Sequence, residues 1–211
     1  ADTVNVLSIA TDAGGETRLG SAVTTSGNTQ VYNDAVVLTK DAVLSSPNSS
    51  ITFASTVDSD STARTLELSA GGNISFNSAV GSLSKLASLT LAQAFAVEAQ
   101  STLAIDGTGR DLDGLLIESG VNNITMTQAG STIESAGNAS IRFAGGSANT
   151  QIAGFTATDG DGTGLMAGPG SYANSSVTAS SFTVTNGTGF AVDLDGAQGL
   201  TVGGTCLLYT S

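Results

Sequence analysis

The chain has 211 residues and a net charge of −12, from 18 acidic and six basic side chains, and no histidine. The bases, Arg18, Lys40, Arg64, Lys85, Arg110 and Arg142, are scattered singly, so no patch exists to neutralise phosphates, and nucleic acid or an anionic membrane surface is disfavoured as a partner. One cysteine and no histidine exclude a disulfide framework, a Cys- or His-based zinc site and any Ser-His or Cys-His nucleophile, while 40% hydrophobic residues supply enough apolar surface to fold.

With 27 Gly against 2 Pro, and Ser, Thr, Asn and Ala filling most of the rest, the composition fits a β-rich, turn-rich chain. Ala1 to Val4 reads like the middle of a repeat array. No basic segment followed by an apolar one marks a signal peptide, which we take as truncation, and no run of about 18 apolar residues could span a membrane. Val4, Val6, Leu7 and Ile9 suggest a strand, and Ala13-Gly14-Gly15 a turn. Val23-Thr24-Thr25-Ser26-Gly27-Asn28-Thr29-Gln30-Val31-Tyr32 and Ala35-Val36-Val37-Leu38 follow.

The clearest pattern comes next. Ile51-Thr52-Phe53, Val57 and Leu66-Glu67-Leu68 recur as Ile74-Ser75-Phe76, Val80 and Leu89-Thr90-Leu91, always 23 positions later. A constant offset through two apolar-polar-apolar triplets means that each unit carries at least two short strands with one face buried. A unit this small cannot bury that face alone, so copies must stack. The expected fold is all-β: a right-handed parallel β-helix of about 20–25 residues per coil, its hand set by the crossover rule. It would make about nine coils and a column of about 43 Å at a sheet spacing of about 4.8 Å. An antiparallel β-sandwich is the alternative.

Val23 to Leu91 resembles the repeats of very large secreted bacterial adhesins of the filamentous-haemagglutinin type, in the "TT-G-Q-Y-AV-L" string and the "ITF...TV...L-L" unit after it. Those adhesins are parallel β-helices, and the resemblance implies the same fold here. No secretion domain or cell-binding tripeptide accompanies the likeness.

From Leu83 to Ala104 a helix competes, since Leu83, Leu86, Ala87, Ala94 and Val97 share a helical face, but Leu89-Thr90-Leu91 sits at a repeat position and favours strand. Leu103-Ala104-Ile105, Leu115-Leu116-Ile117, Ile124-Thr125-Met126, Ile133, Ile141-Arg142-Phe143 and Ile152 continue the triplets with looser spacing. Thr158 to Gly170 carries no triplet and reads as a projecting loop, within an insertion spanning about 158–174. Phe182-Thr183-Val184, Phe190 to Leu194 and Leu200-Thr201-Val202 restore the pattern. Asn186-Gly187 and Asp195-Gly196 fit either hairpin turns or coil corners. Residues 1–205 thus form one domain. The tail from Cys206 to Ser211 looks like the translation of a sequencing adaptor and is expected to be non-native.

Few residues suggest chemistry. Asp159, Asp161 and Gly164 imitate the start of a calcium loop, but the twelfth position, which needs Glu, is Gly170, so solvated carboxylates are the plainer reading and no cofactor is expected. Asp111 with Asp113, and Asp193 with Asp195, share a strand face as a glycosidase's paired acids would, without a basic cluster or aromatic platform beside them. Thr125 with Thr127, Thr156 with Thr158, and Thr183 with Thr185 could form outward threonine rows of the ice-binding kind, but do not recur in every coil. The expectation is therefore a non-enzymatic structural or display segment of a large secreted or surface-anchored bacterial adhesin. It would lie outside the cell or on its outer surface and contact a host cell, neighbouring cell or polysaccharide through loops. A carbohydrate-active β-helix enzyme and an ice-binding β-helix are the alternatives.

Overall fold

The computed structural model describes residues 3–106 and 114–117 in full, and beyond them the backbone of the strands. The first coil is β1 (Thr3–Val6), β2 (Ile9–Ala10) and β3 (Glu16–Leu19), and the second is β4 (Ala22–Thr25), β5 (Gln30–Tyr32) and β6 (Ala35–Leu38). The third is β7 (Ala42–Ser46), β8 (Ile51–Phe53) and β9 (Val57–Ser59). The fourth has β10 (Thr65–Ala70) and β11 (Ile74–Phe76), and the fifth β12 (Ser88–Ala94), β13 (Val97–Ala99) and β14 (Leu103–Asp106). Then come β15 (Leu115–Val121), β16 (Asn123–Met126) and β17 (Ile133–Ala136), followed by β18 (Ala139–Phe143), β19 (Asn149–Ile152) and β20 (Phe155–Thr158). The last two sets are β21 (Thr163–Ala167), β22 (Ser176–Ala179) and β23 (Phe182–Gly187), and β24 (Val192–Asp193), β25 (Gly199–Val202) and β26 (Cys206–Thr210).

Each strand pairs in parallel with its equivalent one coil later. Two sheets run through nine strands each, β1 to β24 and β2 to β25, and the third is carried by β3-β6-β9 and β14-β17-β20-β23-β26. Single parallel bridges from Val57 to Val80, from Val80 to Leu103 and from Leu86 to Ile105 join those two halves, so Val80 and Leu86 stand in for a strand in the fourth coil. The fold is a parallel β-solenoid. Its parallel ladders exclude the sandwich, and β23 and β24 lie in different sheets, so they do not pair as a hairpin across Asn186-Gly187.

Period-2 alternation explains the core. In β10, Leu66, Leu68 and Ala70 are buried while Glu67 is exposed. The repeat of 23 is the ladder register itself: Ile51 pairs with Ile74, Phe53 with Phe76, Leu66 with Leu89 and Leu68 with Leu91. Inside, like stacks on like. Val36, Val57, Val80 and Leu103 form one buried row, and Leu44, Leu68, Leu91 and Ile117 another. The rings of Tyr32, Phe53 and Phe76 stack at centroid distances of 5.3 and 5.2 Å, nearly parallel at 12° and 6°. Each such side chain contributes about 1.5–3 kcal/mol by leaving water.

Coil length varies while the ladders hold, because extra residues go into the corners and loops, with a register shift in β12 against β15. Gln30 and Ile51 pair 21 positions apart, Ile51 and Ile74 23 apart, and Leu89 and Leu115 26 apart. That is why the spacing loosens after Leu91 while the element type persists. The helix that competes between Leu83 and Ala104 does not form; β12, β13 and the first half of β14 lie in the stretch. One further expectation changes. The segment read as a projecting loop, 158–170, contains β21, which pairs with β18 and β24 as an ordinary rung. Thr163-Gly164-Leu165-Met166-Ala167 hides its strand because glycine breaks the apolar-polar-apolar signature. The tail from Cys206 to Ser211 takes a rung in backbone pairing, β26 with β23 from Cys206 to Thr210.

Candidate functional site

The outer faces of the coils carry the groups that could meet a ligand. On the second sheet the outward row runs Val31, Thr52, Ser75 and Glu98, and on the first it runs Val43, Glu67, Thr90 and Leu116. These rows mix apolar, hydroxyl and acidic groups without period. Among the described residues no group of three or more His, Cys, Asp or Glu could hold a metal ion. Asp159 and Asp161, the calcium candidates, and the Asp111 and Asp113 pair lie outside the described residues; of Asp193 and Asp195, only the backbone of Asp193 is described, in β24.

The threonine pairs are placed by register. Thr156 pairs with Thr183 and Thr158 with Thr185. The run stops there: Glu134 pairs with Thr156 on one side and Leu207 with Thr183 on the other. Two coils make a short row.

Several carboxylates act within the fold. Asp34, at the corner between β5 and β6, accepts hydrogen bonds from the Thr11 hydroxyl at 2.6 Å and the Thr17 hydroxyl at 2.8 Å, tying the second coil to the first. The Thr11 bond, helped by that from Thr17, holds its carboxyl below the usual carboxylate range, against the opposing effect of burial. Asp58 in β9 is 3% exposed because the 81–87 segment covers it, the Leu83 and Ser84 amides donating to it at 2.7 and 3.1 Å. Asp60 pairs with Arg64 through two hydrogen bonds, Nε at 3.0 Å and Nη2 at 2.9 Å; Arg64 draws the carboxyl down and is itself pushed up by it. Asp41 accepts from the Thr65 amide at 2.9 Å.

Sequence reasoning missed these corner acids, and it missed a polar seam inside the second and third coils. Gln30 is wholly buried; its amide nitrogen donates to the Ser45 carbonyl at 2.8 Å and to that of Val23 at 3.4 Å, and its oxygen accepts from the Tyr32 hydroxyl at 2.9 Å. Burial pushes the Tyr32 phenol up. Beside it the Thr25 hydroxyl donates to that of Ser46 at 3.1 Å, and the Ser46 hydroxyl to the Asn28 carbonyl at 3.3 Å. The available signal was Gln30-Val31-Tyr32 standing at the ladder position of Ile51-Thr52-Phe53.

The geometry defines the class as a parallel β-solenoid with corner acids and a mixed outer face. No family model, curated protein or solved structure matches the chain.

Proposed function

We propose that the chain is a non-enzymatic structural and display segment of a large bacterial adhesin, secreted or anchored at the outer surface. The observation that carries this reading is the continuity of the parallel ladders, coil upon coil, through sheets of nine strands. Such a column resists bending because two sheets run unbroken from coil to coil and a third continues through isolated bridges at the fourth coil, and it presents corner side chains at a distance from its base. Contacts to a host cell, neighbouring cell or polysaccharide would be made there. Leu83, 89% exposed on the segment covering Asp58, and Phe95, 64% exposed at a corner, are apolar groups of the kind such contacts use. The resemblance of residues 23–91 to haemagglutinin-type repeats supports the same reading.

Two experiments test it. The complete gene should encode a secretion or anchoring domain, and the purified chain should release no reducing ends from a panel of polysaccharides. A gene without such a domain, together with polysaccharide cleavage by the chain, would replace the display reading with the enzyme.

A further inference from the structure

The apolar rungs have a weakness: they cannot tell one coil from the next. Ile51-Thr52-Phe53 and Ile74-Ser75-Phe76 offer β5 almost the same surface, each with Ile and Phe inward and a hydroxyl outward. A second coil stacked on the fourth, with the third extruded or with the fourth supplied by another copy, would bury its apolar groups nearly as well.

The polar seam breaks this degeneracy. Ser46 receives the Thr25 hydroxyl and donates to Asn28, but its register partner in the fourth coil is Ala70, which can do neither. At the neighbouring corner the Asn48 amide nitrogen donates to the Ser26 carbonyl at 3.0 Å, where the fourth coil has Gly71-Gly72, its corner amide, Asn73, standing instead at the position of Ser50. Thr25 and Ser46 are buried, at 1% and 0% exposure, so a hydroxyl left unpaired in the wrong stack finds no water to replace its partner. Gln30 raises the stakes. Its amide must find carbonyls within the stack, so a loosely seated second coil is penalised more than a hydrocarbon rung would be.

We infer that the buried Thr25–Ser46–Asn28 seam, with Gln30 and Tyr32 beside it, fixes which coil stacks on which, as a single buried asparagine fixes register in a coiled coil. Apolar rows supply the attraction. Hydroxyls supply the address.

Cysteine pairs placed on the outward row test this in a Cys206→Ser background. Val31 and Thr52 are register partners, whereas Val31 and Ser75 are two rungs apart, about 10 Å, beyond disulfide reach. Protein refolded under reducing conditions and then oxidised should link the Val31→Cys/Thr52→Cys pair and leave the Val31→Cys/Ser75→Cys pair open. Adding Thr25→Val, Gln30→Ile and Ser46→Ala should raise linkage of the Val31→Cys/Ser75→Cys pair roughly tenfold or more, given the cost of the buried hydrogen bonds removed. Ala70→Ser alone gives the fourth coil the same hydroxyl and should raise it several-fold without removing any native contact. Gel mobility separates links within a chain from links between copies. Linkage of the Val31→Cys/Ser75→Cys pair unchanged in both backgrounds would overturn the inference, and if the triple variant fails to fold, Ala70→Ser decides it.

Discussion

Phe53 lies between Tyr32 and Phe76, so its ring loses contacts on both faces when removed. Phe53→Ala should cost about 3–5 kcal/mol in chemical denaturation, the range for deleting a buried aromatic whose cavity cannot collapse. Glycines offer a sharper contrast. A Cβ on Gly71 would overlap the Pro47 carbonyl of the coil beneath, whereas one on Gly14 would meet nothing within 4 Å. Gly71→Ala should therefore lower the melting temperature clearly and Gly14→Ala hardly at all. Asp34 gives a pH signature. Its folded carboxyl titrates below the ordinary value of 3.8, so its contribution is present above that value and lost as pH falls through the lower, folded one. The thermal midpoint should fall below about pH 4, and Asp34→Asn should make that fall shallower than in the parent chain. An equally steep acid limb in both proteins would show that Thr11 and Thr17 do not hold the carboxylate.

At the scale of elements, the fourth coil is the exception that the structure explains. Its third-sheet strand shrinks to isolated bridges at Val80 and Leu86, because Gly81 takes a left-handed φ of 71° and turns the chain out of the sheet between them. The 81–87 segment is fastened by Asp58, by the Ser59 amide on the Ser84 carbonyl and by the Ser84 hydroxyl on the Asp60 carbonyl. Asp58→Ala should speed hydrogen exchange at the Leu83 and Ser84 amides at least tenfold, while Glu67→Ala, on an exposed outer face, should leave them alone. Unchanged exchange in both would mean that the Ser84 bonds suffice. The same coil shows what a sequence can and cannot reveal. Ile51 over Ile74 and Leu66 over Leu89 were legible because the ladder repeats a side-chain type at a fixed offset. Asp58 was not, because its partners are backbone amides 25 and 26 positions on, a coil-to-coil link that leaves no mark in residue identity. Gln30 was half-legible: its ladder position could be inferred, but its carbonyl partners exist only once the coil is closed. In 158–170 the apolar signature was diluted by glycine, so β21 passed as loop.

The described coils are held by contacts with their nearest neighbours, so the first coil differs from those inside. In the first coil every residue of β1 is exposed, with Val4 at 44% and Val6 at 38%, and Leu7 beyond it stands at 63%. One coil inward, Val23, the register partner of Val4, is down to 4%, and Leu44 beyond it is fully buried. The inward row thus surfaces at this end beside strand edges whose backbone groups can pair with another chain. The 211-residue chain should therefore associate with itself as concentration rises, and Val4→Lys with Val6→Lys should suppress that association. The direction is diagnostic. Two added lysines bring the net charge of −12 closer to zero, which by itself favours association, so a fall in sedimentation-detected oligomer can come only from blocking the edge. A parent chain that stays monomeric at high concentration would show that the first coil is closed by its own side chains, and a double variant that associates as the parent does would move the sticky surface elsewhere on the column.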